Sequence, residues 1–307
     1  MVVKRLIYAF HMPLFVFVSG YFAKKIYKNG QYNFKKKILY LIKAYIIFVI
    51  AIQIVYALCG FRDFSEINFF SQSGAPWYLF AMIVWYLTIP VIRKYKEIPV
   101  LIVTVALALI AGYFKNIGDF LCMSRILVFG PFFYLGYYME QPVLERALRP
   151  VYRRVVVPAA VAICAGILAF GSKLKDELGM VYENISYYEL DDVWEGPFVR
   201  LALMIAAFLI SWAIMFFVPR GKTCLSVIGQ NTMPVYMLHR ILRDILMFAG
   251  IYDYLGDWGW FALFVLICLS ICVIYLLVNP KVVNQVNKIL TLYTPRLWGR
   301  IRRNQAI

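Results

Sequence analysis

The sequence predicts an all-α fold, a polytopic bundle of transmembrane helices, and three observations lead to this prediction. The first is composition: 63% of the 307 residues are hydrophobic and the mean hydropathy is +0.73, whereas soluble domains are roughly 45–50% apolar. The second is a series of apolar runs long enough to cross a bilayer. The third is the alternation of basic residues between loops. Together they indicate a chain solvated by lipid.

About nine apolar runs occur along the chain, each of roughly 16–21 residues and each enough for one helical crossing. From them we expect one integral membrane domain over residues 1–280 and a basic cytosolic tail over residues 281–307. The predicted spans are 6–23, 39–59, 77–92, 98–113, 125–139, 155–171, 198–218, 231–249 and 258–278.

Basic residues fix the predicted orientation of these spans. One set of alternate connections, together with the C-terminal tail, carries 21 lysines and arginines, and the intervening connections carry four. Because loops rich in Lys and Arg stay in the cytosol, we expect the C-terminus to be cytosolic. The net charge of +16 is therefore expected to face anionic lipid, and we expect no nucleic-acid partner.

This orientation has a consequence for the N-terminus. If nine spans precede a cytosolic tail, Met1 lies outside, and Lys4 and Arg5 beside it are difficult to translocate. Two interpretations stay open: a genuine external N-terminus, or a sequence that lacks one preceding span.

Ionisable groups inside spans are costly and are candidates for function. His11 lies in the first span, before Pro13, which frees a backbone carbonyl one turn back. The alternative to a functional role for His11 is a structural one, in which the imidazole is hydrogen-bonded to a backbone carbonyl. No CxxC motif or Cys/His cluster occurs, so we expect no metal site.

A second group of candidates opens the third and fifth predicted spans from the outer side. Trp77 and Tyr78 begin the third span and Arg125 the fifth. Trp77 and Tyr78 are either aromatic anchors at the membrane interface or part of a site. Arg125 either reaches lipid headgroups or contacts a substrate or a buried acid.

The eighth predicted span begins with a polar segment on the cytosolic side. Asn231 is expected to cap this helix, and His239 falls roughly 12 Å deeper at 1.5 Å per residue. Arg240 and Asp244 are spaced i, i+4 and are expected to pair. Polar groups that enter from both faces indicate a cavity or channel joining a cytosolic ligand to an external one.

In these segments the sequence resembles the membrane acyltransferase 3 family, and most closely its fucose 4-O-acetylase-like branch. The matching segments occur in the family's order and cover about 230 residues. They are Phe10-His11-Met12-Pro13-Leu14-Phe15 with Ser19-Gly20-Tyr21, Pro76-Trp77-Tyr78-Leu79, Ser124-Arg125 before Phe129-Gly130-Pro131-Phe132-Phe133-Tyr134-Leu135-Gly136-Tyr137, and the run from Ile228 to His239.

The resemblance implies about ten spans, both termini cytosolic, and transfer of an acetyl group from acetyl-CoA to a hydroxyl of a cell-surface or lipid-linked glycan. It implies a bacterial plasma membrane. Family members usually carry a catalytic histidine in a first span, and the resemblance implies that such a span is expected before residue 1 of this sequence. His11 is therefore expected to support or replace the base.

The remaining roles follow from the same resemblance. Arg125 is expected to orient the acceptor or offset developing charge, and Trp77 and Tyr78 to stack on a sugar. Asn231, Tyr236 and His239 are expected to line the acyl-donor side.

Two other functions stay open from the sequence. One is a transporter or flippase for a small polar solute or a lipid-linked sugar. The other is an inactive subunit of a glycan-assembly complex. Acetyl-CoA binding would distinguish an enzyme from both of these functions. The sequence carries no information on the oligomeric state.

Overall fold

A computed structural model describes residues 2–26, 34–60, 76–114, 122–170, 186–189, 193–219, 221, 223–256 and 258–291. Within these ranges all regular structure is helical and none is strand. The predicted all-α class is therefore confirmed.

The helices are numbered here in chain order. The first seven are α1 (Val2–Ala23), α2 (Phe34–Leu58), α3 (Trp77–Ile92), α4 (Glu97–Ile110), α5 (Met123–Tyr138), α6 (Gln141–Ala147) and α7 (Pro150–Phe170). The other six are α8 (Gly196–Met215), α9 (Cys224–Gln230), α10 (Thr232–Phe248), α11 (Ile251–Gly256), α12 (Gly259–Leu277) and α13 (Pro280–Thr291). Short 3₁₀ turns lie at Lys24–Ile26, Ala111–Tyr113 and Tyr187–Glu189.

Every one of the nine predicted spans coincides with a helix, whereas α6, α9, α11 and α13 were not predicted. The largest differences are at α2, which begins at Phe34 rather than at residue 39, and at α7, which begins at Pro150 rather than at residue 155. The predicted span 98–113 is an α-helix only to Ile110 and finishes as the 3₁₀ turn.

Fewer helices meet a strict test of length and hydropathy for crossing a membrane. In the described part of the chain four do so: Leu6–Ala23, Phe34–Leu58, Pro150–Phe170 and Gly196–Met215. A fifth is possible if the pair Phe261–Leu277 and Pro280–Leu290, bent by 61°, counts as one span. The total of nine crossings stays a prediction.

Large apolar side chains lie exposed on several helices. Ile102 of α4, Val155 of α7 and Ile271 of α12 are each more than half exposed. Such surfaces are costly in water but suit contact with lipid. The chain is therefore a multi-pass membrane protein.

The first part of the predicted C-terminal tail is helical. Residues Pro280–Thr291 form α13, which buries Val283 and Leu290 and exposes Lys281 and Lys288. The rest of the predicted tail, residues 292–307, lies outside the described residues.

The helices divide into two compact units. The first comprises residues 1–34 and 70–218, and the second comprises residues 35–69 and 219–307. The predicted single domain over residues 1–280 stays a prediction.

In the first unit α1 and α5 approach each other at two glycines. A Cβ added to Gly20 would lie 1.9 Å from the carbonyl oxygen of Phe133, and a Cβ added to Gly136 would lie 2.0 Å from that of Phe17. Small residues permit such close packing of membrane helices. These two contacts set the distance between the helix that carries His11 and the helix that carries Arg125.

The other face of α1 packs on α7 and α8. Ala9 of α1, Ala160 and Ile167 of α7, and Ile210 and Ala213 of α8 form a buried apolar cluster. Residues of this size fill the space between closely spaced helices without polar groups.

Candidate functional site

Three predicted site residues come together in the first unit. The Arg125 guanidinium carbon lies 5.7 Å from the centroid of the Trp77 ring, which stacks on Phe129 at 5.3 Å between centroids. A cation near the face of an indole ring is held by the ring quadrupole. Tyr78 follows Trp77 in the chain, and both side chains are buried. Their burial inside the protein argues against a lipid-facing anchor.

Tyr78 connects this cluster to α1. The Ser19 hydroxyl donates to the Phe15 carbonyl at 2.8 Å, and the Tyr78 hydroxyl lies 2.5 Å from the Ser19 oxygen. Because Ser19 has one hydroxyl proton and gives it to Phe15, Tyr78 is the donor in the second bond. The Tyr78 ring also packs on Phe15, with 5.0 Å between centroids.

Hydrogen bonds hold α3 and α5 together below this cluster. The Trp85 indole N–H donates to the Ile126 carbonyl at 3.1 Å, one residue after Arg125. Thr88 Oγ1 gives its proton to the Trp85 carbonyl, so the Tyr134 hydroxyl donates to Thr88 at 2.8 Å. These bonds fix the helix that carries Trp77 relative to the helix that carries Arg125.

His11 lies on the same face of α1 as Phe15 and Ser19. Its own contacts are local: Nδ1 lies 2.9 Å from the Ile7 carbonyl oxygen, and its ring packs edge-on against Tyr8. A carbonyl oxygen can only accept, so Nδ1 carries the proton of the ring. In the neutral imidazole Nε2 is then the atom that can accept a proton.

A contact from α8 fixes the backbone beside His11. Ser211 Oγ donates to the carbonyl of Phe10 at 3.3 Å. This side-chain donor reaches the turn of α1 that precedes Pro13 and joins α8 to the backbone next to His11. Tyr78 contacts Phe15 and Ser19, which follow His11 by four and eight residues, or roughly one and two turns of α1.

The remaining predicted residues lie in the second unit, around the start of α10. Asn231 precedes the helix as expected, but its side chain forms no capping hydrogen bond, so the predicted cap is wrong. The preceding helix α9 ends at Gln230, and the Asn231 N–H bonds back to the Ile228 carbonyl at 3.0 Å. Asn231 is thus the joint between two helices, with φ −115° and ψ 31°.

Tyr236 and His239 share one face of α10. Tyr236 packs edge-on against Phe48 of α2, and its ring centroid lies 6.2 Å from that of His239. His239 Nδ1 lies 2.8 Å from the Val235 carbonyl oxygen. The imidazole is exposed and has the same tautomer preference as His11, with Nε2 as the acceptor.

The predicted i, i+4 pair on α10 is confirmed. Arg240 Nε lies 2.9 Å from Asp244 Oδ2. The structure adds Arg243, whose Nη2 lies 2.6 Å from Asp244 Oδ1, and Tyr56 of α2, whose hydroxyl donates to Oδ2 at 3.2 Å.

The sequence interpretation missed a buried arginine at the start of α8. Arg200 is completely buried, donates to the Ala108 carbonyl at 3.1 Å, and lies 4.7 Å from the Tyr187 ring centroid. The Tyr187 hydroxyl donates to the Leu109 carbonyl at 2.9 Å, and burial raises the pKa of that hydroxyl. An arginine within a predicted span was the signal that could have identified this feature.

The glycines at positions 112 and 196 create the space for Tyr187. A Cβ at either position would lie within 2.3 Å of an atom of the Tyr187 ring. The 3₁₀ turn that carries Tyr187 therefore packs between the end of α4 and the start of α8.

Comparison with known proteins identifies the family. A family model described as "Acyltransferase domain" matches residues 1–279, about nine-tenths of the chain. The chain belongs to this acyltransferase family. It is also similar to the nodulation protein NolL of Mesorhizobium japonicum (strain LMG 29417 / CECT 9101 / MAFF 303099), with 20% identity over 262 residues that cover 80% of this chain and 69% of NolL. No solved structure matches the chain.

Family membership confirms the resemblance to the acyltransferase 3 family and supports an acyltransferase. The assignment to the fucose 4-O-acetylase-like branch stays a prediction, as do the roles of the seven site residues.

Proposed function

We propose that this protein is an O-acyltransferase of the plasma membrane that transfers acetyl from acetyl-CoA to a hydroxyl of a cell-surface or lipid-linked glycan. The observation that carries the proposal is the geometry of His11 in a chain of the acyltransferase family. The Ile7 carbonyl holds the proton on Nδ1 and leaves Nε2 to act as a general base.

The reaction requires one proton transfer and one exchange of bonds at the acetyl carbon. His11 Nε2 takes the proton of the acceptor hydroxyl while the hydroxyl oxygen bonds to the acetyl carbon. The carbon–sulfur bond then breaks, and the thiolate of coenzyme A leaves and takes the proton from the imidazolium. Atoms and charge balance, and the products are an acetyl ester and coenzyme A.

Arg125 and the aromatic pair are proposed to serve the acceptor side. A guanidinium offsets the negative charge that develops on the carbonyl oxygen during attack. Trp77 lies beside Arg125, and Trp77 and Tyr78 are proposed to stack on a sugar. Asn231, Tyr236 and His239 are proposed for the acyl-donor side.

The nodulation protein relative is consistent with an acceptor outside central metabolism. Its name places it in nodulation, and surface glycans present hydroxyl groups at a membrane face. A glycan hydroxyl is therefore the acceptor class that we propose. We also propose that the C-terminus of this protein lies in the cytosol.

The test is transfer of label from [1-14C]acetyl-CoA to the glycan fraction of membranes that contain the full chain. An acetyl ester is released by mild base, whereas an acetyl amide is not, so base treatment identifies O-acetylation. Base-labile label supports the proposal. Absence of label, with no stabilisation of the purified protein by acetyl-CoA, would favour the transporter or subunit functions.

The variant His11→Asn tests the base separately. The Asn amide can still donate to the Ile7 carbonyl, but it offers no basic nitrogen in place of Nε2. We expect the rate to fall by about 100-fold or more with unchanged thermal stability. His239→Asn is the matched control, because that ring makes the same local bond; we expect it to raise KM for acetyl-CoA more than it lowers kcat. Full activity of His11→Asn would exclude His11 as the base while leaving O-acetylation itself supported.

A further inference from the structure

The cluster around Asp244 in the second unit carries more positive than negative charge. Asp244 is 1% exposed and each of its carboxylate oxygens accepts two hydrogen bonds. Oδ2 accepts from Arg240 Nε and the Tyr56 hydroxyl, and Oδ1 accepts from Nε and Nη2 of Arg243. One carboxylate therefore serves two guanidinium groups, and the cluster carries a net charge of +1.

This excess charge has no second acid in the described residues to balance it. The ion pairs of Arg240 and Arg243 there are those with Asp244. Two arginines spaced i, i+3 on one helix repel each other, and Asp244 between them only partly relieves that repulsion. A net cation on a membrane helix is costly unless it meets an anion.

Both guanidinium groups keep donors for such an anion. Arg240 donates from Nε to Asp244 and from Nη2 to the Tyr56 oxygen at 3.5 Å. Arg243 donates from Nε and Nη2 to Asp244. Among the described residues Nη1 of neither arginine makes a hydrogen bond, and the side chains of Arg240 and Arg243 are 21% and 43% exposed. The arginines are thus oriented by a buried acid and still accessible.

The position of the cluster indicates which anion it meets. Tyr56 lies two residues, or about 3 Å, before the end of α2 at Leu58. Helix α2 is long and apolar enough to cross the membrane, so its end lies near the membrane boundary. Phosphate groups of lipids lie at that depth, and guanidinium groups bind phosphate oxygens with paired, charge-assisted hydrogen bonds.

We propose that Arg240 and Arg243, held in place by Asp244 and Tyr56, bind a phosphate group at the membrane boundary. The site does not depend on the proposed acyl transfer, and it is tested by binding rather than by turnover. A lipid headgroup and a soluble phosphate share this chemistry, and the experiment distinguishes them.

The experiment measures lipid adducts by native mass spectrometry, and the melting midpoint, for the full chain in a maltoside detergent. The probe is dioleoylphosphatidic acid, and dioleoylglycerol is the control without phosphate. The test variant is Arg243→Gln, because Arg240 still neutralises Asp244. Lys281→Gln is the matched control, which removes one exposed cation from α13 of the same unit.

We expect phosphatidic acid, but not dioleoylglycerol, to bind and to raise the melting midpoint of the wild type and of Lys281→Gln. Loss of charge-assisted hydrogen bonds should weaken this binding about tenfold or more in Arg243→Gln. Inorganic phosphate that fails to displace the lipid identifies a headgroup site, and displacement identifies a soluble phosphate site. Equal affinity in the wild type and Arg243→Gln, or equal losses in the two variants, would overturn the proposal. Should Arg243→Gln fail to fold, Arg243→Lys decides, because it keeps the charge without the planar fork, and wild-type affinity there rejects the site.

Discussion

The contact of α1 with α5 at Gly136 provides the sharpest test of the arrangement in the first unit. In Gly136→Ala the new Cβ would lie 2.0 Å from the Phe17 carbonyl oxygen, about 1.3 Å closer than a normal carbon–oxygen contact of about 3.3 Å. The obstructing atom belongs to the backbone, so no side-chain rotation relieves the clash and the helices must separate. Overpacking of this kind costs about 1–3 kcal/mol, and alanine recovers at most about 1 kcal/mol through helix propensity.

The control for this prediction is Gly166→Ala in α7, where an added Cβ meets no atom within 4 Å. It is expected to be neutral or to stabilise by up to about 1 kcal/mol. We expect Gly136→Ala to have a lower melting midpoint in detergent than the wild type and Gly166→Ala a similar or higher one. Because displacement of a site by about 1 Å can reduce activity about 100-fold, transfer from acetyl-CoA should also fall in Gly136→Ala alone. Equal stability and activity in the two variants would refute the close packing of α1 on α5.

Two further substitutions test the hydrogen bonds of each unit. Tyr78→Phe removes the donor to Ser19 and should destabilise the protein by about 1 kcal/mol. Thermal denaturation measures this change, with Tyr95→Phe as the control because the Tyr95 side chain is exposed. An unchanged melting midpoint in both variants would contradict the hydrogen bond between Tyr78 and Ser19. Asp244→Asn leaves two guanidinium groups without their carboxylate, and removal of one partner from a buried pair costs about 3–5 kcal/mol. Since both guanidinium groups are partly exposed, we expect Asp244→Asn to destabilise the protein by about 2 kcal/mol. The control Asp253→Asn changes an exposed residue and should leave stability unchanged. Equal stability of the two variants would show that the cluster around Asp244 does not stabilise the fold.

The position of the helices could be read from the sequence because the signal is local. A run of apolar residues must form its backbone hydrogen bonds within itself once it is surrounded by lipid, so hydropathy alone located α3 at residues 77–92 and α5 within two residues of its ends. The pair of Arg240 with Asp244 was predictable for the same reason, since residues four apart on a helix are neighbours whatever surrounds them.

The partners that complete each cluster were not predictable from the sequence. Tyr56 and Asp244 are separated by 188 residues, and Ser19 and Tyr78 by 59, so no helical periodicity relates them. Asn231 shows the opposite failure: its residue type and position favour a side-chain cap, yet the side chain does not form one. The Asn231 backbone, with φ −115° and ψ 31°, is not in the extended conformation from which a side chain caps a helix.

The sequence by itself thus determined a multi-pass helical membrane protein, the placement of the nine helices that its apolar runs predicted, and its acyltransferase family. The tertiary structure decided which polar side chains meet: Arg125 with Trp77, Tyr78 with Ser19, and Asp244 with its second arginine and Tyr56. The physical reason is that lipid selects apolar helices one at a time, whereas a hydrogen bond between helices depends on how closely their backbones approach. In the first unit that approach is set by Gly20 and Gly136, whose importance appears only once α1 lies against α5.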